Sequence, residues 1–320
     1  MNTRSRIFVA GGGTLIGAAL LERLRALGYR DLVGVGAAEP DLTCAGLVED
    51  FFAEYRPEYI FLAAGKSGGI ALNQTWPADL MRDNLLSAVH VIDAAQRHGV
   101  QKLFYLASSC SYPRDGSQPL QPQALMTGAL EPTSAPYALA KLAGWQLCLA
   151  YRQQYGANFI TGIPANAFGP NDDFSPAGGH VIPALIRRAH EAKEQSAREL
   201  RIWGSGQPRR EFIFAADLAD ACIFVMPHVD GPEPINLGSG IHLTIAEVAH
   251  AVADVVGYRG RVRFDTTKPD GAPLKCLDST RLRTLGWQPR TAFRSALEQT
   301  YQWFLQHEVK EEQVNVREPV

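Results

Sequence analysis

The chain is poor in cysteine, and the few it has are scattered. They stand at positions 44, 110, 148, 222 and 276 of 320 residues, with no Cys-x-x-Cys pair and no His/Cys ligand spacing. That pattern argues against a disulfide framework and against a structural zinc site. No apolar run reaches membrane-spanning length, and residues 1–6 are short and polar, without the apolar core of a secretory signal. A cytoplasmic protein with no membrane partner is expected. Charge of one sign is missing too: 31 Lys and Arg face 33 Asp and Glu, a net charge of −2. No basic field is available for nucleic acid. The pairs Arg187-Arg188 and Arg209-Arg210 are local and better matched to one phosphorylated ligand. Internal repeats and low-complexity tracts are absent.

What remains is a 46% hydrophobic chain, long enough for one large core and a smaller second lobe. Residues 7–10 read as a buried strand. Gly11, Gly12, Gly13, Thr14, Leu15, Ile16 and Gly17 follow, and then a helix with apolar spacing at Leu20, Leu21, Leu24 and Leu27. Strand, glycine-rich turn and helix make a dinucleotide-binding unit: glycines let the backbone approach a pyrophosphate, and the helix N-terminus offers it unpaired N–H groups. A second strand is expected at 32–35. The segment around its end, Gly34 to Ala38, carries neither the acid that favours NAD nor the base that favours NADP. Glu39 stands later than the expected place.

Further on, a helix at 47–55, a strand at 59–64, a loop at 65–70, a helix at 79–98 containing Asn84 and a strand at 102–106 continue the alternation. A helix at 133–155, a strand at 158–163 and a rigid turn at 164–170 follow. The pattern predicts an α/β fold, a Rossmann-type doubly wound parallel sheet with right-handed crossovers. Beyond 170 the elements are shorter and mixed, predicting a smaller α/β substrate lobe. The expected division is 1–170 with a returning segment near 211–240 for the dinucleotide domain, and 171–210 with 241–308 for the substrate lobe. Residues 309–320 form a charged tail without structure.

The chemistry gathers in 106–141. Ser108, Ser109 and Cys110 end a buried strand. Tyr137 and Lys141 stand one helical turn apart on one face. An ammonium beside a phenol would lower the phenol's pKa and let Tyr137 exchange a proton near neutral pH. Ser108 could hydrogen-bond the same substrate oxygen. Cys110 could act as a base on a carbon acid if its pKa is depressed, although a buried cysteine is more often a small hydrophobe. His180 could supply an acid, although a lone histidine is more often structural.

Ala-Gly-x-x-x-x-x-Gly (10–17), Ala-Ala-Gly-Lys-Ser-Gly-Gly-Ile (63–70), Ser-Ser-Cys-Ser-Tyr-Pro (108–113) and Tyr-Ala-Leu-Ala-Lys (137–141) belong to a longer set. It continues with Pro-Ala-Asn-Ala-Phe-Gly-Pro-Asn-Asp (164–172), His-Val-Ile-Pro-Ala-Leu (180–185), Trp-Gly-Ser-Gly (203–206), Arg-Arg-Glu-Phe (209–212) and Lys-Pro-Asp-Gly (268–271). This set resembles the GDP-L-fucose synthase family, extended short-chain dehydrogenase/reductases. The resemblance implies epimerisation at C3 and C5 of GDP-4-keto-6-deoxy-D-mannose, then reduction at C4 by NADPH. A paralogue acting on another 4-keto nucleotide sugar, as epimerase or reductase only, is the alternative.

By the same resemblance, Ser108 and Tyr137 stabilise the enolate oxygen, and Cys110 and His180 are the base and acid. Lys141, Ala64, Leu106, Pro164, Asn166, Ala167 and His180 join residues 11–17 around the cofactor. Arg188, Trp203, Arg210 and Asp270 meet the substrate, Asp270 at a guanine edge or a ribose. The superfamily often forms homodimers through the helix bearing Tyr137 and Lys141, and a homodimer is expected. The chain departs from the family pattern in two respects. Thr14 stands at the usual middle glycine. Gly12, Gly13 and the segment Val35 to Ala37 stand where bacterial members carry arginines for a 2′-phosphate. The family implies NADP(H), and the local residues leave NAD(H) open.

Overall fold

The computed structural model describes residues 1–176, 178–268 and 270–315, the last six as backbone only. The first half alternates strand and helix: β1 (Ile7–Ala10), α1 (Leu15–Ala26), β2 (Leu32–Val33), α2 (Ala45–Tyr55), β3 (Tyr59–Leu62), α3 (Ile70–Thr75), α4 (Pro77–Arg97), β4 (Lys102–Leu106), α5 (Ala135–Tyr155) and β5 (Phe159–Pro164). The second half runs β6 (Asn166–Phe168), α6 (Val181–Glu194), β7 (Glu199–Trp203), β8 (Arg209–Phe214), α7 (Ala215–His228), β9 (Ile235–Leu237), β10 (His242–Thr244), α8 (Ile245–Val256), β11 (Arg261–Asp265), β12 (Leu274–Lys275), α9 (Thr280–Thr284) and α10 (Phe293–Asn315).

Strands β1, β3, β4 and β5 are mostly apolar and almost wholly buried, because both sheet faces are covered. With β2 and β9 they form a six-stranded sheet in the order β2-β1-β3-β4-β5-β9, every pairing parallel. Helix α1 packs on α7, and α4 packs on α5. The chain winds outward from β1 to β2, then crosses back to β3. That reversal leaves a crevice beyond the carboxyl ends of β1 and β3, where open α/β sheets bind ligands. The core of this layer runs from Ile7 and Phe8 through Phe61 and Phe104 to Leu237.

A second core, around Phe168, Phe174, Phe212 and Phe304, sits under a small mixed sheet. There β8 pairs with β10 antiparallel and with β12 and β6 in parallel; β7 and β11 pair separately. Helix α8 starts on a capping box between Thr244 and Glu247 and ends on Gly257 in the left-handed conformation.

Three local expectations change. The turn expected at 164–170 contains β6, because Asn166–Phe168 finds an edge on β8 that no local pattern announces. The segment 211–240 divides: the end of β8 lies in the small sheet, α7 covers α1, and β9 joins the large sheet. Helix α10 runs through Asn315, so the first part of the tail expected at 309–320 is helical; residues 316–320 lie outside the described residues. Among the described residues no helix is long and apolar enough to cross a membrane.

Candidate active site

The site is built on loops that leave the carboxyl ends of β1, β3, β4 and β5. After β1, Gly11 turns with φ +88°, and a Cβ there would lie 2.6 Å from the Ala64 backbone. A Cβ on Gly17 would lie 1.9 Å from the Gly11 carbonyl oxygen. Only glycines let β1, β3 and α1 approach this closely. Thr14 has a positive role. Its Oγ1 accepts from the Gly17 N–H at 3.1 Å and donates to the Gly11 carbonyl at 2.8 Å, capping α1. Leu15 and Ile16 begin the helix half-buried, and Gly13 is exposed with no atom within 4 Å of a Cβ. The loop is thus a pre-formed glycine turn at a helix N-terminus, an arrangement that fits a dinucleotide pyrophosphate.

Glu39, which sequence spacing placed too far along, reaches this loop. A 3-10 turn at Gly36–Ala38, with Gly34 at φ +66° and Gly36 at φ +62°, folds the chain back. The Glu39 carboxylate then accepts from the N–H groups of Gly11 and Gly12, the latter at 3.1 Å. Burial pushes its pKa up, and the two amide bonds offset part of that.

After β4, Ser108 caps a single 3-10 turn, its Oγ accepting from the Cys110 N–H at 3.2 Å. Two residues on, Tyr112 donates to Asn236 Oδ1 at 2.6 Å, locking the turn against β9. Tyr137 lies in the first turn of α5 and shares a hydrogen bond with Ser108. Burial, then the neighbouring Cys110, push its phenol well above the ordinary range, and the bond to Ser108 only partly opposes this. The expected depression by Lys141 is not what the structure shows. The Lys141 ammonium donates to the carbonyls of Ala64 and Leu106 at 3.1 and 3.3 Å. It is buried, and burial pulls it down to about 8. Its charge is spent on the strand ends rather than on the phenol.

Cys110 is half-buried. Burial pushes its thiol up, but the Lys275 ammonium and hydrogen bonds with Ser108, Lys275 and Ser134 outweigh it, leaving the thiol below its ordinary value. The Lys275 Nζ stands 3.6 Å from Sγ. His180 is half-buried at the N-cap of α6, its Nε2 3.5 Å from Ser67 Oγ. Burial lowers its pKa, Asp173 raises it and Lys275 lowers it. Cys110 and His180 therefore both feel Lys275, which brings residues seventy positions apart to one site. Gly69 N–H donates to the Gly178 carbonyl at 2.9 Å, tying the loop after β3 to the approach to His180.

The remaining candidate residues lie on the second half of the chain. Asp270 accepts from the N–H and hydroxyl of Ser205, at 2.8 and 2.6 Å, and Trp203 is 71% exposed with the Lys268 ammonium 5.5 Å above its ring. Arg188 reaches across from α6 to donate to the Arg201 carbonyl of β7. The Arg210 guanidinium bonds the Arg209 and Ala272 carbonyls, at 2.8 and 2.6 Å, and lies close enough to Cys110 to interact electrostatically. Pro164 ends β5, Ala167 is half-buried in β6, and Asn166 donates to the Glu211 carbonyl at 2.8 Å. A thiol, two hydroxyls and an imidazole suit carbon-acid and carbonyl chemistry.

The model of the NAD dependent epimerase/dehydratase family matches residues 7–238. GDP-L-fucose synthase 1 of Arabidopsis thaliana is 48% identical over 303 residues, covering 95% of this chain and 94% of its own. GDP-L-fucose synthase of Escherichia coli (strain K12) is 44% identical over 315 residues, covering 96% and 98%. The chain belongs to the GDP-L-fucose synthase branch of the epimerase/dehydratase family. Among solved structures, the GDP-mannoheptose C4 reductase from Campylobacter jejuni with NADP bound is 34% identical, with a TM-score of 0.85 over 95% of this chain and 99% of that one.

Within this epimerase/dehydratase, sequence reading missed Lys275, Ser134, Ser67 and Asp173. Lys275 is 165 positions from Cys110 and Ser67 is 113 from His180. Chance spacing carries no signal for contacts that only the fold creates.

Proposed function

We propose that this enzyme converts GDP-4-keto-6-deoxy-D-mannose to GDP-L-fucose, epimerising C3 and C5 and reducing C4 with NADP(H). The observation that carries it is the convergence of Ser108, Cys110 and Tyr137 on one another, in a chain 44% identical to the E. coli GDP-L-fucose synthase across 96% of its length. A simple carbonyl reductase needs the serine and the tyrosine. The thiol adds a base that can move carbon-bound protons first.

Both epimerised carbons flank the ketone, so removal of either proton gives an enolate. Cys110 takes the proton: a C–H bond breaks, its electron pair moves toward the C4 oxygen, and an S–H bond forms. Ser108 and Tyr137 hydrogen-bond the developing oxyanion. His180 returns a proton on the other face, inverting the centre. The 11–17 loop, Lys141 and the segment 164–167 would hold NADP(H), which would supply the hydride for C4. Tyr137 then gives its proton to the C4 oxygen. Its raised pKa suits this role, because the phenol keeps its proton until the alkoxide forms. Arg188 and Arg210 are assigned to the diphosphate, and Trp203 and Asp270 to the sugar nucleotide.

Glu39 favours a second reading of the cofactor. A carboxylate on the glycine loop is the usual partner of an unphosphorylated adenosine ribose. NAD(H) use is the corresponding alternative. The proposal includes a cytoplasmic enzyme, in keeping with five free cysteines, and a homodimer through α4 and α5, where Val89 and Leu139 are exposed.

The test is incubation with GDP-4-keto-6-deoxy-D-mannose and NADPH or NADH in D2O, followed by NMR of the product. Deuterium at C3 and C5 with cofactor oxidation is expected. Oxidation without deuterium would assign a C4 reductase instead, and neither would reject the proposal.

A further inference from the structure

Lys275 has no part in the chemistry above, yet its ammonium contacts the residue that begins it. It lies on β12, directly across from Arg210 of β8. Among the described residues its Nζ donates to one atom only, the Cys110 Sγ at 3.6 Å. The strand is held in place independently of that contact. The Cys276 N–H donates to Gln118 Oε1 at 3.0 Å, and the Cys276 carbonyl accepts from the Leu120 N–H at 2.8 Å. The Leu277 N–H donates to the buried Glu211 carboxylate at 2.7 Å. Gln118 and Leu120 follow Cys110 in the chain, so the backbone around Lys275 is fixed to the segment leaving the thiol.

We propose that Lys275 is the counter-ion of the Cys110 thiolate, a positioning residue that holds the thiol in its proton-accepting form beside the substrate carbon. The inference rests on Cys110 acting as the base. Other groups face the thiol. From α5 comes Tyr137; from the turns before it and after β4 come Ser134 and Ser108; from β8 comes Arg210, near Glu131. The neutral hydroxyls can donate to a thiolate but cannot balance its charge. Arg210 is already engaged by the Arg209 and Ala272 carbonyls. Lys275 is the cation with a direct contact. His180 and Asp173 lie beyond it, and the ammonium also bears on His180. Lys275 keeps its proton throughout: the substrate proton goes to sulfur, and the negative charge passes from sulfur to the enolate oxygen. The ammonium thus stabilises the state before proton transfer and sets the pH at which the site is charged.

The test reads the thiol directly. Iodoacetamide alkylation of Cys110 in the full-length enzyme is followed by peptide mass spectrometry across pH, which separates it from the exposed Cys44. In wild type the rate should rise through an inflection below that of an ordinary cysteine. In Lys275→Met the inflection should move up by one unit or more, slowing alkylation at pH 7 about tenfold. Lys275→Arg should restore most of it. An unshifted inflection in a Lys275→Met enzyme with wild-type thermal stability would overturn the proposal, as would an equal loss in the arginine variant. No substrate is needed. If the inflection moves while the wild type exchanges no deuterium, the ion pair stands and the assignment of Cys110 as base fails.

Discussion

Replacing Gly17 by alanine tests the glycine turn where the structure leaves least room. The new Cβ would stand 1.9 Å from the Gly11 oxygen and 2.6 Å from its carbonyl carbon. Those atoms must retreat by more than about 1 Å to reach ordinary contact in an interior packed this densely. Gly11 is itself closely hemmed in, since a Cβ built on it would lie 2.6 Å from the Ala64 backbone. Its carbonyl also accepts from the Thr14 N–H at 2.9 Å and the Thr14 hydroxyl at 2.8 Å. Overpacking costs about 1–3 kcal/mol, and each strained hydrogen bond adds about 1 kcal/mol. A loss of roughly 3–5 kcal/mol would lower the melting temperature by about 10 °C in a domain of this size. Circular dichroism melting measures it, and isothermal titration measures loss of dinucleotide affinity as α1 shifts. Gly13→Ala is the control: nothing lies within 4 Å of its Cβ, so the fold should tolerate it. A Gly17→Ala protein that melts within a degree or two of wild type and binds the dinucleotide normally would refute the reasoning.

Asp172 is buried with Oδ2 unpartnered, and burial pushes its pKa up from 3.8 to about 7. Its folded pKa exceeds the unfolded value, so its contribution to stability is complete below 3.8 and is lost as pH rises through about 7. Asp172→Asn should flatten the fall in melting temperature over that window and gain stability at pH 8; an unchanged profile would count against it. Cys110→Ser should slow deuterium exchange by about 10²–10⁴ while reduction of an already epimerised ketone changes far less. Equal loss of both would make Cys110 a binding residue. Glu39→Gln removes an anion from the cofactor loop and should raise the NADPH-to-NADH ratio of kcat/KM several-fold. No change in steady-state preference would place Glu39 outside cofactor selection.

Local pattern alone was enough for the parallel layer. Strands β1, β3, β4 and β5 are mostly apolar runs bounded by turns, and helices α1, α4 and α5 have apolar faces, so their existence followed from burial on both sides of a sheet. The strand–glycine–helix turn and the Tyr137–Lys141 spacing were legible for the same reason: their partners are neighbours in sequence. Strand β6 was not legible, since three residues become a strand only against the edge of β8. Nor was the reach of Glu39, which depends on a 3-10 turn entered through the left-handed glycines Gly34 and Gly36.

The charge state of the site is the clearest division. Sequence placed an ammonium one turn from a phenol and so predicted a lowered phenol pKa. The fold turns that ammonium toward the Ala64 and Leu106 carbonyls and buries the phenol, which raises it. It then sets a different lysine, 165 positions away, against the thiol. Residue types and short spacings were determined by the sequence itself. Which cation meets which acid was decided by strand pairing in the small sheet, because electrostatic coupling depends on distance and burial.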